Sequence, residues 1–231
     1  MKFDFTKLPF PTYGLFIILS LVLSSIFIIV SLKKKKISNK TIFLSLFMTI
    51  YFIIIFGLSF TQIVNYIQTG KSTTFGLSSY GGAIGLLLSI FIFNIINIKN
   101  NENITETYII SLPLFYSISK LGCFFSGCCH GITYNSIFSV LYELDGQVLS
   151  YFPIQLLESI VFLCIFIFLN YLSNKKNNYV VYIAIIISAI AKFFLDYLRF
   201  SHINQFLSIN QIVSIFFIIA SLIYIIYKKK E

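Results

Sequence analysis

The sequence predicts an all-α polytopic membrane protein, a single domain of residues 1–231 with seven transmembrane helices, and three observations carry that prediction. Hydrophobic residues make up 58% of the chain and charged residues only 11%, where soluble domains carry about 25%. Mean hydropathy is +0.90. The apolar residues also gather in seven runs, near 13–32, 42–66, 80–98, 108–130, 153–172, 179–199 and 209–227, each close to or beyond the roughly 20 residues that a spanning helix needs. Their length and lack of polar/apolar alternation exclude a transmembrane barrel, and a helix satisfies every backbone group within its own segment. No length is left in the chain for a separate soluble domain.

Taken in order, the first run opens at Tyr13-Gly14 and ends on Lys33, Lys34, Lys35 and Lys36. That positive cluster follows the apolar stretch, so a cleaved signal peptide is not expected. The second run returns between Lys40 and Lys71, and the third opens at Tyr80-Gly81-Gly82 and stops before Lys99. The fourth carries Lys120 and closes on a glycine- and cysteine-rich run ending at Gly131. The fifth begins with Pro153-Ile154-Gln155, a proline suited to a first helical turn. The sixth ends with Lys192, Asp196 and Arg199, and the seventh runs from Asn210-Gln211 to Lys228, Lys229 and Lys230. Counted by side, eleven lysines fall on the face holding the C-terminus and four basic residues on the other. The positive-inside rule then puts the N-terminus outside and the C-terminus in the cytoplasm. The formal charge of +9 is spent on topology in this pattern, which excludes nucleic acid as a partner.

On this topology the unusual residues collect on the outer side. Helices one, three, five and seven start there with Tyr, Gly, Pro, Asn or Gln, and helices four and six end there. Lys120, Glu158, Lys192 and Asp196 lie in or at the edge of apolar runs, where insertion scales put a charge at roughly 2.5–3.5 kcal/mol. Lys192, Asp196 and Arg199 are spaced i, i+4 and i+7, on one helical face, and Gln155 and Glu158 are spaced i and i+3. Two readings stand open for these charges: a functional site open to the outer leaflet, or an interhelical salt bridge of Glu158 with Lys120 or Lys192 that holds the bundle together.

Five segments in order decide what the chain resembles: Tyr80-Gly81-Gly82-Ala83-Ile84-Gly85, Gly122-Cys123-Phe124-Phe125-Ser126-Gly127-Cys128-Cys129-His130-Gly131, Pro153-Ile154-Gln155-Leu156-Leu157-Glu158, Lys192 to Arg199, and Leu207-Ser208-Ile209-Asn210-Gln211. From Tyr13-Gly14 to Gln211 their order and spacing resemble the prolipoprotein diacylglyceryl transferase family. The resemblance implies a bacterial plasma-membrane enzyme that moves a diacylglyceryl group from phosphatidylglycerol, or another anionic phospholipid, to the lipobox cysteine of an exported preprolipoprotein, giving a thioether and glycerol 1-phosphate. It implies contact with membrane lipids, and neither a cofactor nor a metal. It also implies catalytic roles for Tyr80, Lys120, Glu158, Lys192 and Asp196, and substrate contacts from Tyr13, Gly81, Gly82, Cys123, Cys128, Gln155, Arg199 and Gln211.

The match departs from the family pattern at several places. Lys120 and Lys192 stand at arginine positions, Asp196 at a glutamate, Tyr80 at the histidine of His-Gly-Gly, Cys123 at a motif asparagine and Cys128 at a glutamate. Lysine offers a point charge where arginine offers a planar fork. Two explanations remain: drift in a chain dominated by Lys, Asn, Ile, Phe and Tyr, whose single arginine is Arg199, or a changed donor or acceptor. A third possibility is a non-enzymatic membrane protein, either a small-molecule transporter or a family member kept as a binding or assembly partner; of these, transport is disfavoured because a conduction path needs polar groups through the midplane and on both faces.

Four features keep more than one reading. Cys123, Cys128, Cys129 and His130 fit a metal or redox site, a disulfide, a catalytic thiol or close packing of small residues; adjacent Cys128 and Cys129 are not expected to turn inward together. Cys164 reads as a small hydrophobe. Tyr13 and Tyr80 are either interfacial belt aromatics or functional, and His202 is either solvated or placed to touch headgroups or assist protonation. The 132–152 connector, which contains Glu143 and Asp145 and no Lys or Arg, is a cover, a peptide-docking arm or a plain link.

Overall fold

The computed structural model describes residues 3–4, 12–70, 78–96, 101–144, 147–177, 179–202 and 206–228. Lys2, Lys7, Lys71, Lys99, Asp145, Lys229 and Lys230 lie outside them. Among the described residues there are seven α-helices: α1 (Thr12–Lys34), α2 (Asn39–Thr69), α3 (Ser79–Ile96), α4 (Asn101–Phe125), α5 (Ile154–Asn174), α6 (Val180–Asp196) and α7 (Ile209–Lys228). Four of them, α1, α2, α4 and α5, contain stretches long and apolar enough to cross a membrane, and α3 and α7 are apolar but shorter.

The side chains are distributed inside out relative to a soluble bundle. Phe43 is 73% exposed, Ile18 64% and Phe216 66%, whereas Ser20, Ser45, Thr49, Ser89, Ser117, Ser159 and Ser214 are buried. Large apolar groups have no reason to hide from lipid tails, so helices there associate through small and hydroxyl-bearing residues that let backbones approach.

The chain divides into two compact units, residues 25–108 and residues 1–24 with 109–231, the divisions falling inside α1 and α4. In the first of these α2 packs against α3 through two glycines one turn apart. A Cβ on Gly81 would run into the Phe56 carbonyl oxygen and lie 2.7 Å from Phe60 Cβ; one on Gly85 would meet the Phe52 carbonyl, 2.8 Å from its carbon. Hydroxyls cross-link the same unit: Ser89 Oγ donates to Thr49 Oγ1 at 3.2 Å and Tyr108 OH to Ser45 Oγ at 3.0 Å. The Ser38 hydroxyl caps the start of α2 by accepting from the Thr41 N–H, and Gly70, at φ 69°, closes its end.

The second unit contains α5, α6, α7 and an element absent from the all-α expectation. The 132–152 connector folds into an antiparallel hairpin, β2 (Val140–Leu144) and β3 (Gln147–Tyr151), with Val140 opposite Tyr151 and Leu144 opposite Gln147. A short strand β1 (Phe3–Asp4) pairs parallel to β2. The hairpin's inner face, Val140, Tyr142 and Tyr151, buries against Phe124, Phe125 and Leu156, and so rests on the end of α4 and the start of α5.

Helix four is the boundary most displaced from expectation, Asn101–Phe125 in place of 108–130. Its stop is a Schellman motif: the Cys128 N–H reaches back to the Cys123 carbonyl at 3.1 Å and the Gly127 N–H to that of Phe124 at 3.3 Å, with Gly127 at φ 68°. Cys128, Cys129 and His130 therefore lie in a loop. Helix α6 likewise ends at Asp196, three residues before Arg199, and a 3-10 turn, Phe200–His202, follows.

Candidate active site

Backbone pairing beyond α4 sets the positions of the polar side chains. The Ile132 N–H donates to the Leu198 carbonyl and the Phe152 N–H to that of Ile132, both at 3.0 Å, while Gly131 bridges Arg199. A Cβ on Gly131 would lie 2.5 Å from the Phe152 oxygen and 2.9 Å from that of Leu198, so only glycine fits between the two segments. Three segments are stitched together there: the cysteine loop, the turn after α6 and the entry to α5.

Glu158, on the first turns of α5, is 1% exposed and lies at the centre of the site. Its Oε2 is 2.9 Å from Lys120 Nζ, and its Oε1 takes a hydrogen bond from Arg199 Nη2 at 2.5 Å. Tyr116, on α4 one turn before Lys120, donates its hydroxyl to the same Oε1 at 3.1 Å and accepts from Arg199 at 3.3 Å. The Tyr116 ring also faces two cations, Lys120 Nζ at 5.0 Å and Lys192 Nζ at 4.5 Å from its centroid. A ring quadrupole attracts an ammonium ion at such range. Tyr116 thus touches every member of the cation cluster, and the sequence reading missed it. The available signal was its i, i+4 spacing to Lys120, hidden in a chain with 15 tyrosines.

Asp196 takes a different position. Its carboxylate accepts a short hydrogen bond from Ser208 Oγ and one of 2.7 Å from Asn210 Nδ2, joining the end of α6 to the start of α7. Arg199 Nε is 3.7 Å and His202 Nδ1 3.8 Å away, so Arg199 lies between the two carboxylates. His202 is buried, against the solvated reading. Gln211 secures the same junction: its Oε1 accepts from the Ser208 N–H at 3.1 Å and its Nε2 donates to the Phe193 carbonyl at 3.3 Å. Gln155, fully buried, donates Nε2 to the Cys128 carbonyl at 2.8 Å and pins the cysteine loop to α5.

The Sγ atoms of Cys123, in the last turn of α4, and of Cys128 and Cys129, in that loop, all lie within 4.8 Å of one another. Adjacent Cys128 and Cys129 do turn the same way, contrary to expectation, because Cys129 adopts a left-handed φ of 55°. All three are free thiols, as is the exposed Cys164. His130 stands apart, its ring 4.4 Å from that of Tyr151 and 5.3 Å from that of Phe200, and burial lowers its pKa. Tyr13 is half-buried near the start of α1, where the close approach of Phe16 to Gly122 brings it beside α4. Tyr80, Gly81 and Gly82 belong to the other unit; Gly81 serves the packing of α3, and the Tyr80 side chain lies outside the described residues.

A model of the family described as prolipoprotein diacylglyceryl transferase matches residues 1–227. The chain belongs to that family. Among curated relatives it is 28% identical over 163 residues to a phosphatidylglycerol–prolipoprotein diacylglyceryl transferase 2 of Clostridium perfringens, covering 67% of this chain and 64% of the relative. It is 31% identical over 159 residues to a phosphatidylglycerol–prolipoprotein diacylglyceryl transferase of Clostridioides difficile, covering 68% and 62%. The alignments therefore span a little under two-thirds of these relatives' lengths.

Proposed function

We propose that this chain transfers a diacylglyceryl group from phosphatidylglycerol to the lipobox cysteine of an exported preprolipoprotein, in the plasma membrane of a bacterium. One observation carries the reading. Lys120, Lys192 and Arg199 are gathered around one tyrosine together with only two carboxylates among the described residues, Glu158 and Asp196. By formal count three cations face two carboxylates there, and a phosphodiester, which carries one negative charge, suits such a cluster. Soluble anions meet the same charge requirement, but a site framed by helices whose outer surfaces are apolar is reached from lipid.

In the reaction Glu158 holds Lys120 and Arg199 in place, and the cations stabilise the charge that grows on the phosphate as the glyceryl carbon is attacked. The acceptor sulfur forms a bond to that carbon, the carbon–oxygen bond to the phosphate breaks with its electron pair passing to oxygen, and the thiol proton ends on the released glycerol phosphate. Asp196, Gln155 and Gln211 keep the supporting helix ends and the cysteine loop in register. The proposed setting is a single domain of seven spanning helices with the N-terminus outside, and a reporter fused after Lys230 is expected to be cytoplasmic.

The test is purified protein with phosphatidylglycerol vesicles and a lipobox peptide. The peptide is expected to gain one diacylglyceryl group with release of glycerol phosphate. No transfer from this lipid, alongside transfer from a different one, would reject the donor.

A further inference from the structure

We propose that Cys123, Cys128 and Cys129 hold one zinc ion whose fourth position receives the thiolate of the acceptor cysteine; the second half of this statement rests on the transferase reading above. The three Sγ atoms lie within 4.8 Å of one another and come from two different backbone settings, the last turn of α4 and the loop beyond it. Chance packing of small residues does not require Cys129 to take a left-handed φ of 55°, a conformation unfavourable for a side chain with a Cβ, yet that φ is what returns its sulfur to the other two. The loop is also held from both sides: Gln155 donates to the Cys128 carbonyl at 2.8 Å, and the Cys128 N–H is tied to the Cys123 carbonyl at 3.1 Å.

Three thiolates make a soft donor set that selects zinc or copper(I) over magnesium or calcium. Zinc is four-coordinate, and sites with three protein ligands keep the fourth position for a reacting group. Burial falls from Cys123, buried, through Cys128 to Cys129, exposed, so one face of the triad is open to an incoming ligand. The chemistry of transfer calls for a thiolate acceptor, because the thiol itself is a poor nucleophile. Zinc supplies one by binding: the acceptor's S–H proton is released to water and its sulfur pair is directed to the metal until alkylation. Placement agrees, since Cys123 follows Lys120 by three residues on α4, setting an acceptor at the triad beside the cations proposed to hold the donor phosphate. Two of the departures from the family pattern, Cys123 and Cys128, are thereby explained together, against the expectation of a metal-free site.

The full-length protein, purified in detergent under reducing conditions, is titrated with zinc and, separately, with cobalt(II). One zinc per chain is expected by elemental analysis, and cobalt is expected to show thiolate charge-transfer bands and the visible bands of a tetrahedral centre. Cys129→Ser should weaken binding by more than the ~10–100-fold typical of losing a supporting partner, and Cys164→Ser should leave it unchanged. Adding a lipobox peptide should shift the cobalt spectrum towards four sulfurs, whereas the same peptide with serine in place of its cysteine should not. Wild-type protein that retains no more zinc than a variant lacking all three cysteines overturns the proposal. So does a cobalt spectrum indifferent to the cysteine peptide, or isolation with two of the three thiols joined in a disulfide. Metal binding and the peptide shift without transfer from phosphatidylglycerol would leave the zinc site standing and reject the donor. Transfer by demonstrably zinc-free protein would do the reverse.

Discussion

The two units of this molecule differ in the polar groups that they bury. Residues 25–108 bury hydroxyls, Ser45, Thr49, Ser89 and Thr107, which bond one another or a carbonyl one turn away, and their ion pair, Lys35 with Glu106, remains about a quarter exposed on each side. Residues 109–231 bury whole charges: Lys120, Glu158 and Asp196 are 6%, 1% and 2% exposed. A hydroxyl is satisfied by a carbonyl of its own helix, whereas a buried charge requires a partner of opposite sign, as Glu158 has in Lys120 and Arg199. The contrast separates a half that buries hydroxyls from a half that buries paired charges as well, the half proposed to bind the anion.

The strongest way to break that contrast is to remove a cation. Lys120→Ala and Lys192→Ala are each expected to lower transfer by ~10²–10³, the range for losing one preorganised contact to developing charge, with folded protein still recovered from the membrane. Lys→Arg at either position should keep or raise the rate, because the guanidinium fork fits phosphate better than a point charge. Near-normal turnover in both alanine variants would make these lysines structural.

The second largest effect should appear in the other half and in a different measurement. Gly85→Leu places a side chain against the Phe52 backbone, which cannot give way as a flexible side chain would. A loss of about 3 kcal/mol is expected, at the upper end of what overpacking produces, read as a lower melting temperature in detergent. The surviving folded fraction should transfer at a normal rate per molecule. A slower rate with unchanged melting would show that α3 has a part in chemistry.

How much of this was legible in the sequence divides along the same line. Helix existence was legible from the apolar runs, each of which holds one of the seven helices among the described residues, four of them containing stretches long and apolar enough to cross a membrane. The end of α4 was misplaced because its stop is a capping geometry at Gly127 within an apolar run, where hydropathy continues past the last helical residue. The hairpin was missed because Val140–Leu144 and Gln147–Tyr151 are five-residue strands, too short for a period to register. At the site, the pairing of Lys120 with Glu158 was among the two readings given. The pairing of Asp196 with Ser208 and Asn210 was not, since it depends on how the chain after α6 returns to begin α7.

Tyr116→Phe tests the residue that sequence reading overlooked, and it separates two contributions of one side chain. The phenylalanine keeps a ring beneath Lys120 and Lys192 and deletes the hydroxyl shared by Glu158 and Arg199. Glu158 retains both cations, so the loss should be near the lower end for a hydrogen bond to a charged group, about 1.5 kcal/mol. If all of it falls on the transition state the rate drops about tenfold. Tyr116→Leu removes the ring as well and should be slower still; equal rates for the two variants would mean that the ring contributes nothing to holding the lysines.

The smallest effect belongs to Glu106→Gln, and its value lies in being small. The pair it breaks, Lys35 Nζ to Glu106 Oε2 at 2.8 Å, is as short as Lys120 to Glu158 at 2.9 Å, so distance alone would rank the two together. Environment ranks it far lower: with each side chain about a quarter exposed, the charges are screened by solvent on release and the amide can still accept from lysine. Exposed pairs contribute about 0–1 kcal/mol, and a melting shift near the limit of detection is expected, with no change in transfer. High salt should narrow even that difference, because screening weakens the exposed pair in the wild type and has nothing to act on in the variant. A large loss of transfer in Glu106→Gln would show that residues 25–108 also carry a charge required for the reaction, and the division between a packing half and a half proposed to bind the anion would have to be abandoned.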